Sequence, residues 1–175
     1  MTGLRSTFVL AGLLGLPGAV IGQNPAAAPT VLFSPAMQAA LDRTYGASEA
    51  AVLERTVSER AGAALRNSGC DGIARVEVTL LDARPTHPTD KQIGDNPALD
   101  RLLTRYLGGA AFSARLLDSA GHEVKSLRYD WYAVDFLHGS RAAEPWGDVR
   151  LASEGLGSQL AHECRALARR HPATP

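Results

Sequence analysis

The sequence lacks the features that usually identify a reaction or a ligand. Its 18 Lys and Arg residues are balanced by 18 Asp and Glu residues, whereas nucleic acids and anionic membranes are bound by an excess of clustered cations. The G-x-S-x-G and S-x-x-K nucleophile motifs are absent, and so are the ligand spacings of zinc and calcium sites. We therefore expect no nucleic-acid partner, no metal and no cofactor, and no particular reaction is indicated.

A long apolar run is also missing. The apolar segment near the start extends only from Thr7 to Leu16, after the single cation Arg5, whereas a membrane-spanning helix needs about 20 residues. A cation, a short apolar core and then small residues are typical of an export signal. We predict a signal peptide over residues 1–22 and no stable membrane insertion once it is removed. A retained membrane anchor is the alternative.

Cysteine is scarce, because Cys70 and Cys164 are the only two. No cysteine precedes Cys70, so a lipid-modified N-terminal cysteine has no residue on which to form. In an exported protein, two cysteines far apart in the sequence favour a disulfide over a metal site. We predict a Cys70–Cys164 disulfide in a periplasmic or secreted protein that is not a lipoprotein. Two free buried thiols are the alternative.

The rest of the chain has the composition of one globular domain. Hydrophobic residues make up 45% of the whole sequence and charged residues 21%, values close to those of packed proteins. Residues 23–33 are rich in Ala and Pro and are predicted to form a flexible leader. A single domain is predicted over residues 34–171, followed by a disordered tail over residues 172–175.

The spacing of apolar residues predicts an α+β fold. Steps of three and four residues predict a first helix after Ser34-Pro35, broken at Gly46, and a last helix that Asp148 caps. Alternation of apolar and polar residues predicts a strand and then a β-hairpin between these helices. The predicted strands span residues 73–83, 110–117 and 122–134. We expect a small antiparallel sheet of about three strands, with the N-terminal and C-terminal helices packed on one face.

Two polar regions form the predicted contact surface. One is the long, proline-rich loop between Arg84 and Asp100, and the other is the solvent face of the hairpin, where exposed aromatic and charged side chains suit binding. A rigid connector and ordinary cross-strand packing are the respective alternatives. The candidate binding residues are Arg84, His87, Asp90, Gln92, Arg128, Asp130 and Tyr132.

Two other functions stay open. His87 and Asp90 are candidates for a catalytic base and the group that orients it, in a small hydrolase or a metal-assisted enzyme that also uses Asp135 or His138. This hypothesis needs His87 and an acid within about 3 Å of each other in a pocket. A carrier of a small apolar ligand is the other alternative, and it requires a cavity between sheet and helices.

Short blocks of this sequence resemble a group of small exported bacterial proteins of unknown function. The resemblance covers about residues 73–168, and its blocks lie at residues 82–92, 97–100, 108–110, 129–132 and 146–148. It implies a periplasmic or secreted domain and supplies no catalytic residue. Together with the export signal, it leads us to expect a domain that binds an envelope protein or another envelope component.

Overall fold

A computed structural model describes residues 28–66, 68, 70 and 73–170. The predicted signal peptide, the predicted leader up to residue 27 and the predicted tail lie outside the described residues. The elements are β1 (Thr30–Phe33), α1 (Pro35–Ala40), a π-helical turn (Leu41–Tyr45), α2 (Glu49–Arg66), β2 (Arg75–Arg84), α3 (Asp90–Asp95), β3 (Gly109–Leu117), β4 (Glu123–Tyr132) and α4 (Gly147–Arg170).

The four strands form one mixed sheet in the order β1-β2-β3-β4. β2, β3 and β4 are antiparallel neighbours, whereas β1 runs parallel to β2, with Thr30 opposite Glu77. The predicted α+β class is confirmed, but the sheet has one more strand than expected. The assignment of Thr30–Phe33 to a flexible leader is wrong, because this segment pairs with β2.

One face of the sheet carries the core. Val76, Val78 and Leu80 of β2 and Phe112 of β3 are fully buried beneath α2 and α4. The helices contribute apolar side chains such as Leu53, Val57, Leu156 and Leu160 to the same core. The alternate residues of β2, β3 and β4 point to the other side of the sheet, where polar side chains prevail. We call this second surface the open face.

The break in the first helical region is confirmed. Ser34 accepts a hydrogen bond from the Met37 amide at 3.1 Å, and Pro35 occupies the first helical position. The helical path then ends at Gly46, whose φ of 106° suits glycine far better than any residue with a side chain. α2 begins three residues later as a separate helix.

α2 and α4 approach closely and are covalently joined. A side chain at Gly157 would put its Cβ only 2.9 Å from the Cα of Ala61, so the two helix backbones touch at this point. Cys70, just after α2, forms a disulfide with Cys164 of α4 across 94 residues of sequence, as predicted. Among the described residues, no helix is long and apolar enough to cross a membrane.

Candidate functional site

The loop after β2 contains a short helix that the sequence pattern did not predict. α3 begins with a capping box, in which the Thr89 hydroxyl accepts from the Gln92 amide at 3.3 Å and the Gln92 side chain accepts from the Thr89 amide at 3.0 Å. The prediction of a long loop between Arg84 and Asp100 is therefore wrong at this helix. The Thr-x-x-Gln spacing, which is typical of a capping box, is the sequence pattern that could have predicted this helix. Gln92, a candidate binding residue, uses its side chain to cap the helix.

His87 and Asp90 point to different partners. His87 is only 5% exposed, and its Nδ1 lies 3.0 Å from the carbonyl oxygen of Thr104. Asp90 is exposed and forms an ion pair with Arg101. Residues 85–89 are all buried, which is the behaviour of a rigid connector. The two side chains thus lack the mutual contact that a catalytic base and its orienting acid require.

Asp148 joins three loops at one end of the sheet: those after β2, before β3 and after β4. Its carboxylate is buried, with Oδ2 accepting from the Gly108 amide at 2.9 Å and Oδ1 accepting from the Ser140 amide at 2.5 Å. Its own amide donates to the Thr86 hydroxyl at 2.8 Å. The predicted cap role is wrong, since Asp148 is the second residue of α4. Its carboxylate bonds two other segments of the chain.

Tyr132, Asp82 and Arg84 form a cluster on the open face. The Tyr132 hydroxyl donates to Asp82 Oδ2 at 2.7 Å, and Arg84 Nε lies 3.4 Å from the same oxygen. The Arg84 guanidinium also stacks on the Tyr132 ring, 4.7 Å from its centre. Burial raises the pKa of the Tyr132 hydroxyl, and the hydrogen bond to Asp82 raises it further. Two of the candidate binding residues, Arg84 and Tyr132, are in contact here, whereas Asp82 was not among the predicted binding residues.

Gly109 makes this cluster possible. In the sheet it lies between Arg84 and Tyr132, and it pairs with both. Its φ is +145°, and a Cβ would lie 2.7 Å from Cδ1 of the Tyr132 ring. A residue with a side chain does not fit there, so glycine at the first position of β3 explains how the tyrosine ring reaches across towards β2.

Arg128 and Asp130 are exposed and lie on the same open face. Arg128 is opposite Ser113, and Asp130 is opposite Ala111. Because their neighbours on β3 are small, both charged side chains are accessible. Tyr129 and Trp131, which alternate with them, pack against the core.

Exposed apolar side chains lie on two adjacent loops beside this end of the sheet. Six large hydrophobic side chains, each between 41% and 85% exposed, occupy the loop before β3 and the loop after β4. The two loops touch, because Arg105 stacks on the Phe136 ring at 5.2 Å and donates to the Ser140 carbonyl at 2.5 Å. We call this set the apolar loop patch: Leu102, Leu103, Leu107, Val134, Phe136 and Leu137.

Two aspartates fix the turns that carry this patch. Asp100 Oδ1 accepts from the amides of Leu102 and Leu103, both at 2.8 Å. Asp135 Oδ1 likewise accepts from the amides of Leu137 at 2.8 Å and His138 at 2.9 Å. These backbone hydrogen bonds lower the pKa of both carboxyl groups. In each loop an ionised aspartate therefore fixes the backbone of the turn that carries exposed leucine.

A groove of about 420 Å³ lies on the helix side of the molecule. Its lining is charged: Trp146 donates to Glu49 at 2.7 Å, and Arg150 pairs with Glu144 at 3.4 Å. It follows α2 and the start of α4, unlike the cavity between sheet and helices that an apolar carrier requires. Among the described residues, no group of three His, Cys, Asp or Glu side chains is placed to hold a metal ion.

The fold and the site define a disulfide-bonded α+β domain that exposes apolar loops beside a polar sheet face. Comparison with protein families, with curated proteins and with solved structures finds no match to this chain. The resemblance to small exported bacterial proteins therefore stays a prediction, and any function must be argued from the residues themselves.

Replacing Tyr132 with Phe tests the cluster on the open face. Loss of the hydrogen bond to Asp82 should lower the free energy of unfolding by about 1 kcal/mol at neutral pH. In the parent, a raised folded-state pKa means that this contribution is present below pH about 10 and is lost as pH rises beyond it. The difference in the free energy of unfolding between the parent and Tyr132→Phe, measured by urea titration, should therefore become smaller at higher pH. An equal difference at every pH contradicts this assignment.

Proposed function

We propose that this chain is an exported domain that binds a protein of the cell envelope through the apolar loop patch. The observation that carries the proposal is the exposure of six large hydrophobic side chains on two touching loops. Scattered exposed hydrophobic residues are common, whereas a cluster of this size marks an interaction surface. Arg105, stacked on Phe136 within the patch, adds a residue type that is enriched at binding hot spots.

The fixed shape of the loops supports binding. Asp100 and Asp135 each use a carboxylate oxygen to hold two backbone amides of their own turn. Asp148 ties the start of β3 to the loop that contains Ser140. Less conformational entropy is lost when a partner binds loops that are already ordered. The patch is thus a preorganised surface.

The charges around the patch favour a protein over a lipid surface. Asp100 and Asp135 keep their negative charge because backbone amides lower the pKa of each carboxyl group. Anionic lipid headgroups bind best to clusters of Lys and Arg, whereas the arginines of these loops, Arg101, Arg105 and Arg141, are interspersed with the two acids and with neutral residues. A protein groove with an apolar floor and a mixed polar rim matches both parts of this surface.

Export is supported by two features. The Arg5-led apolar segment has the length of a signal peptide, and the Cys70–Cys164 disulfide suits an oxidising compartment. Fractionation of the native host tests this part: the processed chain should appear in the periplasm or the medium, beginning near Gln23. An unprocessed chain found only in the cytoplasm overturns export.

The binding proposal is tested by site-specific photo-crosslinking in intact cells, followed by affinity measurement with the captured protein. A photoreactive residue at position 103 or 137 should capture the same protein. Position 124 is the matched control, because Val124 is also exposed but lies at the far end of β4. With the purified partner, Leu103→Asp combined with Leu137→Asp should weaken binding at least about tenfold, and Val124→Asp should leave it unchanged.

Other outcomes contradict the proposal. Equal capture from position 124, or an unchanged affinity in the Leu103→Asp and Leu137→Asp variant, shows that the patch is not the contact surface. Flotation of the parent chain with anionic vesicles, lost in the same variant, shows that the patch binds lipid.

A further inference from the structure

We propose that β4 pairs with β4 of a second copy, so that two chains form a dimer with one continuous eight-stranded sheet. β4 is ten residues long and lies at an edge of the sheet. An edge strand presents unpaired backbone amides and carbonyls to any strand that can approach. The other edge strand, β1, has only four residues. This inference is independent of the apolar loop patch.

β4 is protected as an edge only near its start, where its pairing with β3 is irregular at Val124. It contains no proline, and its pairing with β3 is regular from Lys125 to Tyr132. Its single lysine, Lys125, lies on the core-facing row at the start of the regular stretch and extends to Glu163 of α4 at 3.3 Å. From Ser126 to Tyr132 the strand therefore lacks the proline, bulge or inward-pointing charge that natural edge strands usually carry.

The backbone polarity of β4 allows this pairing. The Ala133 amide donates to the Gly108 carbonyl at 2.9 Å, so Ala133 points its hydrogen-bonding groups towards β3. In an antiparallel ladder, successive residues point their groups in opposite directions. The groups of Tyr132, Asp130 and Arg128 therefore point outward, away from β3.

The charges on the open face choose one register. When Tyr129 lies on the two-fold axis of the dimer, Arg128 lies opposite the partner's Asp130, and the same pair forms a second time by symmetry. When Arg128 lies on this axis, it faces the Arg128 side chain of the second copy. When Leu127 lies on the axis, Arg128 faces a serine of the second copy, the residue equivalent to Ser126. Directly opposed charges of opposite sign stabilise a sheet, and like charges destabilise it. The Tyr129 register also places outward-pointing residues opposite each other.

Apolar side chains support the same register. Leu127, Tyr129 and Trp131 pack on the core yet remain partly exposed at the edge. In the Tyr129 register, Leu127 meets the partner's Trp131, and the two Tyr129 rings become neighbours. Gly155 of α4 leaves the space that the Tyr129 ring occupies, since a Cβ there would lie 2.8 Å from Cζ of the ring. Dimer formation would bury the remaining apolar surface of this row.

The test is a charge-exchange series on the mature chain with its disulfide intact. Sedimentation from about 1 µM to about 1 mM should show a monomer–dimer equilibrium for the parent. Arg128→Glu or Asp130→Arg alone places like charges opposite each other twice, and each should raise the dimer dissociation constant about tenfold or more. The two changes together exchange the charges and should restore dimerisation to within about threefold of the parent.

The matched control is Arg55→Glu, a charge reversal at an exposed site on α2. It should leave dimerisation unchanged, as should the Leu103→Asp and Leu137→Asp variant, which separates this proposal from that of partner binding. Near-ultraviolet circular dichroism checks that each variant is folded. A parent that stays monomeric throughout, or a double exchange that fails to restore the dimer while remaining folded, overturns the proposal.

Discussion

Removing the disulfide should lower the free energy of unfolding by about 4–5 kcal/mol, because the crosslink closes a loop of 94 residues in the unfolded chain. The change is Cys70→Ala together with Cys164→Ala. Alanine is chosen because Cys164 is buried on α4, where a serine hydroxyl would need a new partner. Urea unfolding of parent and variant measures the difference. A domain of ordinary size is stable by only about 5–15 kcal/mol, so the variant should lose a large part of its stability.

Reduction of the parent protein is the control for this prediction. With reductant present, the parent should unfold at nearly the same urea concentration as the double-alanine variant. The variant itself should not respond to reductant. A loss below about 1 kcal/mol would show that the crosslink constrains the unfolded chain far less than its loop length requires.

Asp148→Asn should lower the free energy of unfolding by about 2–4 kcal/mol. Both carboxylate oxygens accept from backbone amides, those of Gly108 and Ser140. Asparagine keeps one acceptor and places an NH₂ group against the other amide, so a buried donor loses its partner. Little space exists for adjustment, because a Cβ on Gly139 would lie only 3.1 Å from Oδ1.

Hydrogen exchange identifies where this damage occurs. The amides of Gly108 and Ser140 should exchange faster in Asp148→Asn than in the parent, before the rest of the sheet opens. Asp135→Asn is the matched control, since Asp135 also accepts from two backbone amides but lies in an exposed turn. Its effect on unfolding should be much smaller. Equal effects of the two changes would show that burial of Asp148 is not what matters.

Local patterns in the sequence predicted most of the fold. The alternation in β2, β3 and β4 and the helical spacing in α2 and α4 each arise from neighbouring residues that share one buried face. β1 escaped prediction because four residues are too few to show a period. Its parallel partner also lies more than forty positions away, at Glu77. Pairing of that kind depends on the whole chain.

The candidate site was predicted only in part. Arg84 and Tyr132 are in contact across Gly109. Asp82 bonds to both of them, and its position depends on a register shift between Leu80 and Asp82 that no local pattern reveals. His87 was expected in an exposed loop, yet the fold covers it. The apolar loop patch was missed because exposed leucines in a loop look, in sequence, like the start of a buried element.

The position of the disulfide relative to the loops has a consequence for how this domain can diversify. Cys70 lies just before the start of β2, whereas the apolar loop patch lies beyond its other end. Ten residues of strand separate these regions by about 33 Å. The disulfide therefore constrains the end of the sheet that is remote from the patch, and the exposed positions of the loops can vary independently of it. Changes at the exposed patch positions would alter the contact surface that we propose, whereas Gly108 and Ser140 of the same loops stay bound to Asp148 of α4.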